Sequence, residues 1–228
     1  MEFLSKEEQK KQLLILGETH GIVANLIVID WLVQNWGASV ILFELEEKWT
    51  HHLQKISSPS GLRKFIRAVD EERWITEGGL IGREHIPFLR LWNTQNVTLR
   101  GVKIEHKDWN KAEKLTVENV ARILHSQQNK KIIFVTGNFH ARKSKFDFVI
   151  NNKIYTAIPM GMLLKKYSIS MCIKYEEGRF RNFGIRKIHG EHTSHISTKN
   201  GPIIKKSRSK YYDYNVLTGH AYPIAELD

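Results

Sequence analysis

Leu14-Ile15-Leu16-Gly17-Glu18-Thr19-His20 and Phe134-Val135-Thr136-Gly137-Asn138-Phe139-His140 are the two stretches on which the reading of this chain turns. Each is a short apolar run stopped by glycine, with a histidine three residues beyond. Such runs suit strands buried on both faces, as in a parallel sheet. Glycine fits the strand end because the chain must turn sharply or approach another group closely there. Open α/β sheets bind ligands outside the carboxyl ends of their parallel strands. With these two strands as parallel neighbours, His20 and His140 project into one crevice.

The flanking sequence extends the pattern. Residues 22 to 36 are apolar almost all round and run without Gly or Pro to Gly37, which predicts a helix buried on most sides. Ala38 to Leu45 reads as a second buried strand, completing a right-handed βαβ unit. Residues 48 to 96 are more polar and read as helices, broken by Ser57-Ser58-Pro59-Ser60-Gly61 and by Gly78-Gly79-Leu80-Ile81-Gly82. Val97 to Ile104 is a third strand and Lys131 to Thr136 a fourth. Between them Val117, Val120, Ala121 and Leu124 form one helical face. A short helix after Pro159 leads to strands at Ile169 to Tyr175 and Phe180 to Ile188, joined as a hairpin at Glu176-Glu177-Gly178. Residues 189 to 210 read as a flexible basic loop, and Tyr211 to Leu217 as a last edge strand. The prediction is one α/β domain over 1–228. It has three layers, a mostly parallel central sheet with flanking helices, and an antiparallel C-terminal hairpin.

Composition narrows the class. The 228 residues are 41% hydrophobic, with six Trp and ten Phe, ordinary for a globular protein. Cys172 is the single cysteine, so no intrachain disulfide forms. The segment Met1 to Glu8 lacks the apolar core of a signal peptide, and no run of roughly 18 apolar residues marks a membrane span. A cytoplasmic protein is expected. The net charge is +11, and residues 1 to 114 carry 16 basic and 16 acidic side chains against 19 and 8 in the remainder. This asymmetry points to a small anionic substrate, nucleic acid or an acidic surface as partner.

Histidine titrates near neutrality and is also the commonest metal ligand, so His20 and His140 are candidates for a general base or for a metal set. Glu18 sits beside a buried strand, where charge demands a partner. Glu44 interrupts the apolar run Val40-Ile41-Leu42-Phe43, and Glu46 shares its face if the strand persists. Either carboxylate can orient an imidazole, hold a water or complete a metal site formed by His20, Glu44 and His140. Arg83 follows the glycine-rich loop, placed to bind a substrate oxyanion. Arg142, Lys143 and Lys145 follow His140, and Arg142 and Lys143 are the candidates for binding a phosphate or carboxylate substrate. His189, His192 and His195 recur every three residues, but Gly190, Thr193 and Ser194 argue against a helix that aligns them. Lys205, Lys206, Arg208 and Lys210 run into Tyr211, Tyr212 and Tyr214. Such a composition binds single strands of nucleic acid, though it also suits a basic loop entering an edge strand.

Taken together, Gly17-Glu18-Thr19-His20-Gly21, Phe43-Glu44, Gly137-Asn138-Phe139-His140-Ala141 and Ile158-Pro159-Met160-Gly161 resemble the superfamily of erythromycin esterases, ChaN-like haem-binding proteins and Tiki/TraB-type proteins. The resemblance runs from about residue 12 to about residue 188. It implies a parallel-rich α/β core with His20, Glu18, Glu44 and His140 at the functional positions and Arg83 as the loop arginine. By resemblance, esterase-type members activate water without metal, Tiki-type members use a divalent metal, and ChaN-type members bind haem. The leading expectation is therefore a hydrolase. A haem- or metal-binding protein without turnover, or a nucleic-acid-associated protein, stands as the alternative.

Overall fold

The computed structural model of the chain describes residues 4–190 and 201–225. Its first apolar run forms β1 (Leu13–Glu18), with Leu13 to Leu16 wholly buried. It is preceded by a short α1 (Lys6–Gln9), whose start is closed by a reciprocal Ser5–Glu8 capping box. The apolar segment that follows is α2 (Val23–Trp36), and Gly37 ends it in the left-handed conformation, φ 73°. The chain then enters β2 (Ala38–Glu46). The polar middle folds as a single 3-10 turn, α3 (Thr50–Gln54), α4 (Pro59–Glu71), α5 (Arg73–Glu77) and α6 (His85–Thr94). Next come β3 (Thr98–Lys103), α7 (Trp109–Ser126), β4 (Lys131–Gly137), β5 (Phe146–Ile150), β6 (Lys153–Ala157) and α8 (Met160–Leu163). The last strands are β7 (Ser168–Lys174), β8 (Gly178–Arg181), β9 (Ile185–Ile188), β10 (Ile203–Lys206) and β11 (Tyr214–Leu217).

Among the described residues the central sheet has seven strands in the order β10-β11-β7-β1-β4-β2-β3. Every pairing is parallel except that of β10 with β11. Alternate residues of a strand face opposite sides, and the burial follows that rule. Leu14, Leu16, Ile41, Phe43, Ile133 and Val135 pack under α2, α4 and α6. Leu13, Ile15, Val40, Leu42, Ile132 and Phe134 pack under α7 and α8. The result is the expected three-layer α/β architecture with a mostly parallel sheet. No helix of the described residues is long and apolar enough to cross a membrane.

The C-terminal third departs from the expectation in three ways. The segment 169–175 does not pair with the strand after it. As β7 it joins β1 and β11 in parallel, and the antiparallel hairpin is β8 with β9. Six successive buried positions in β7, Ser168 to Ile173, explain this, since a strand buried on both faces belongs inside the sheet. Part of the segment read as a flexible loop is ordered, because Ile203–Lys206 forms the edge strand β10 and shields β11 from being the edge. Residues 191–200, with His192 and His195, lie outside the described residues. A second hairpin, β5 with β6, escaped the sequence reading altogether.

Candidate active site

The parallel pairing of β1 with β4 sets Glu18 opposite Gly137, so the two glycine–histidine turns leave the sheet side by side. They are also bonded together: Asn138 N–H donates to the Glu18 carbonyl at 2.9 Å, and Asn138 Nδ2 donates to Thr19 Oγ1 at 3.3 Å. Gly17 is required by close approach, since a Cβ there would stand 2.8 Å from the Ala141 side chain.

His20 and His140 converge on Glu44. The His20 Nδ1 lies 2.9 Å from Glu18 Oε1, while its Nε2 stands 3.8 Å from Glu44 Oε2. The His140 Nδ1 lies 2.6 Å from Glu113 Oε1, and its Nε2 is 3.3 Å from Glu44 Oε1. Each imidazole thus gives one nitrogen to a carboxylate of its own and turns the other to the shared one. Such pairing fixes the tautomer, placing the proton on Nδ1. Glu44 accepts from Thr136 Oγ1 at 2.6 Å and from Gly137 N–H at 2.8 Å, and Lys103 Nζ is 4.0 Å away. Glu113 is buried on α7 and also accepts Met160 N–H at 2.8 Å. Trp109, at the start of α7, stacks on His140 with centroids 5.3 Å apart.

The charge states follow from these contacts. Burial opposes ionising Glu44, but His140, His20 and Lys103 outweigh it and hold the carboxyl down at about 2. Burial likewise disfavours the His140 imidazolium, yet Glu44 and Glu113 push its pKa up to about 9. His20 is raised in the same way, with Glu18 and then Glu44 overcoming burial. Burial lifts the Glu113 carboxyl above its ordinary range. His85, at the start of α6, accepts Gly82 N–H at 3.1 Å on Nδ1. Burial and the neighbouring His20 depress it to about 4, so it is neutral.

Two clefts open on this cluster and share His140. One, about 660 Å³, is walled by Lys103, His106, Trp109, Glu113 and Met160 with Glu44 at its base. The other, about 960 Å³, holds Glu18, His20, Asn138 and Arg142 and is closed by β10 and the segment after it.

Of the residues singled out from sequence, His20, Glu18, Glu44 and His140 come together. Glu46 does not: a register shift after Phe43 carries it to the surface, where Lys48 pairs with it at 3.2 Å. Arg83 is exposed, its backbone N–H bonded to the Ala225 carbonyl, and it lines neither cleft. Arg142 lines the larger cleft, its guanidinium 4.4 to 4.7 Å from the ring centres of Phe139, Phe146 and Tyr211. Lys143 lines neither cleft and is held at 2.8 and 2.9 Å by both oxygens of Asp213. Glu113, Lys103, Trp109 and His85 were not foreseen. For Glu113 a signal existed, because Val117 and Val120 extended back one turn land on position 113.

Among the described residues no three His, Cys, Asp or Glu side chains form a ligand set. Glu44 Oε2 is already taken by two donors.

No protein-family model and no curated protein sequence matches the chain. Solved structures share its fold. An erythromycin esterase variant in its open conformation matches over 97% of this chain and 94% of its own, at 10% identity and TM-score 0.52. A Bacillus cereus protein matches over 96% and 91%, at 11% identity and TM-score 0.59. The type III effector HopBA1 matches over 94% and 90%, at 13% identity and TM-score 0.52. The erythromycin-esterase-like architecture is thereby shown as a fold.

Proposed function

We propose that the protein is a hydrolase that activates water through His20 and acts on an ester bond of a small anionic substrate. The observation that carries this reading is the Glu18–His20 pair beside the larger cleft. Glu18 holds the Nδ1 proton, so the lone pair of neutral His20 lies on Nε2, beyond hydrogen-bond distance of Glu44. In the reaction Nε2 removes a proton from water while the water oxygen bonds to the acyl or phosphoryl centre. The ester bond then breaks, and its electron pair leaves with the alcohol oxygen. That oxygen takes the proton of His140, which Glu44 and Glu113 keep charged at neutral pH. His20 has gained one proton and His140 has lost one; Glu44, facing both Nε2 atoms, lies on the path by which the proton returns. His140 and Lys103 supply positive charge to the developing anion, a role the exposed Arg83 is not placed to fill.

The test is hydrolysis of a panel of chromogenic acyl and phosphoryl esters by the native chain and by His20→Ala. Loss of a positioned general base costs on the order of 10²–10⁴ in kcat. The variant should show that loss with an unchanged circular dichroism spectrum, and undiminished turnover by a folded His20→Ala would refute the reading.

A further inference from the structure

We infer that the cleft over His20 is a binding site for a small molecule carrying several phosphate groups, held by Lys205 and Arg208 together with Arg142. The inference rests on the hydrolase reading insofar as it names that enzyme's substrate class, but the binding it asserts is measurable without turnover.

The argument starts from charge. Arg142, Lys174, Lys205, Lys206 and Arg208 all line this cleft, and Glu18 at its floor is the single carboxylate among the lining residues. Basic side chains on a surface are usually solvated and interleaved with acids. Here they converge on a concavity from separate parts of the chain: the turn after β4, the end of β7, β10 and the residues following it. Neither Lys205 nor Arg208 makes an ion pair with any described residue. Lys206 is partly engaged, its Nζ lying 5.7 Å from the centre of the Tyr214 ring. Lys143 and Asp213, by contrast, neutralise each other beside the cleft without lining it. Among the described residues the charges of Lys205 and Arg208 inside the cleft are therefore uncompensated, and a single carboxylate on a ligand would leave much of that charge so.

Geometry then limits the ligand. Arg142 is braced by three rings, and its Nε is buried without a hydrogen-bond partner. A planar guanidinium held this way presents a fixed fork, which suits phosphate oxygens better than a mobile ammonium does. The cleft, about 960 Å³, is the size of a small-molecule site rather than an extended groove. Phe139, 57% exposed, lies on the same wall and offers a face on which a ring of the ligand can stack. The basic stretch Lys205 to Lys210, which sequence alone left between an edge strand and a nucleic-acid contact, thus closes over the reactive histidine.

Titration calorimetry at low salt with tripolyphosphate, orthophosphate, acetate and a single-stranded oligonucleotide tests this. Tripolyphosphate should bind, orthophosphate more weakly, and acetate not at all. Replacing both cations, as Lys205→Glu with Arg208→Glu, should weaken tripolyphosphate binding about tenfold or more. His20→Ala should leave that binding intact while abolishing hydrolysis, which separates failure of this inference from failure of the hydrolase reading. Tripolyphosphate binding no tighter than orthophosphate, or insensitive to the double variant with its spectrum intact, would overturn the assignment. Tighter binding of the oligonucleotide than of tripolyphosphate would overturn it in favour of nucleic acid.

Discussion

Glu44 stays ionised inside the protein because Thr136 and the Gly137 amide donate to it and the charges of His140 and Lys103 outweigh its burial, with His20 adding to them when protonated. This one residue couples the two histidines, and their pKa shifts give the pH dependence its shape. His20 must be neutral to accept a proton, and its pKa is raised, so activity should fall on the acid side at a point above the ordinary 6.5. His140 must be charged to donate one, so activity should also fall above about 9. Glu113→Gln removes a carboxylate that raises His140, and the basic limb of kcat/KM against pH should move to lower pH while the acid limb stays. A purely structural role for Glu113 would lower activity at all pH values without moving either limb. Glu113 falls on the Val117–Val120 helix face, but the surrounding Lys111-Ala112-Glu113-Lys114 looks like a solvated turn and masks that signal. What buries Glu113 is the packing of α7 beside α8 and β3, which sets it against His140 and the Met160 amide. Glu44 was legible because a lone charge inside an apolar strand needs an explanation, whereas Glu46 could be set aside only once the register shift was seen.

At the scale of elements, the two turns act as one unit. A Cβ on Gly137 would stand 3.3 Å from His20 Nε2, 3.4 Å from His140 Cδ2 and 3.7 Å from Glu44 Oε2. Gly137→Ala should therefore lower kcat by pushing the imidazoles apart while thermal stability changes little, which paired kinetic and melting measurements would reveal. Leu14, in the middle of β1 between β4 and β7, is wholly buried. Leu14→Ala should cost roughly 2–5 kcal/mol in urea unfolding. The strands that carry the site were readable because runs such as Leu13 to Leu16 are buried on both faces and stopped by glycine. The hairpin of β5 and β6 was not readable, for the opposite reason. Most of β6 is exposed, with Ile154 at 74%, so that strand shows no buried face, and the Phe146-Asp147-Phe148 alternation in β5 is too short to mark a strand by itself. The β7–β11 pairing was likewise out of reach, because parallel partners are chosen by the whole sheet and not by the connecting turn.

For the molecule as a whole, the same groups set stability against pH. A base whose folded pKa is raised stabilises fully below its unfolded pKa and loses that contribution as pH rises through the folded value. His140 thus stabilises below about 6.5 and ceases to do so through about 9. His85 works in the other direction: it is held neutral, so stability falls as pH drops from about 6.5 through about 4. Glu44 adds a further loss between about 4.5 and 2. Melting temperature should peak near pH 6.5, and His85→Asn should flatten the slope between pH 6.5 and 4 without altering the alkaline side. Function rests on the charge pattern that makes these shifts, two imidazoles divided between three carboxylates. The direct measurement of that pattern is a long-range ¹H–¹⁵N NMR titration of the histidine side chains. It should show neutral His20 carrying its proton on Nδ1, with a pKa above 6.5, and His140 remaining an imidazolium at pH 7 and titrating near 9. Two histidines titrating independently near 6.5, with protons on Nε2, would contradict the shared-carboxylate centre and the chemistry assigned to it.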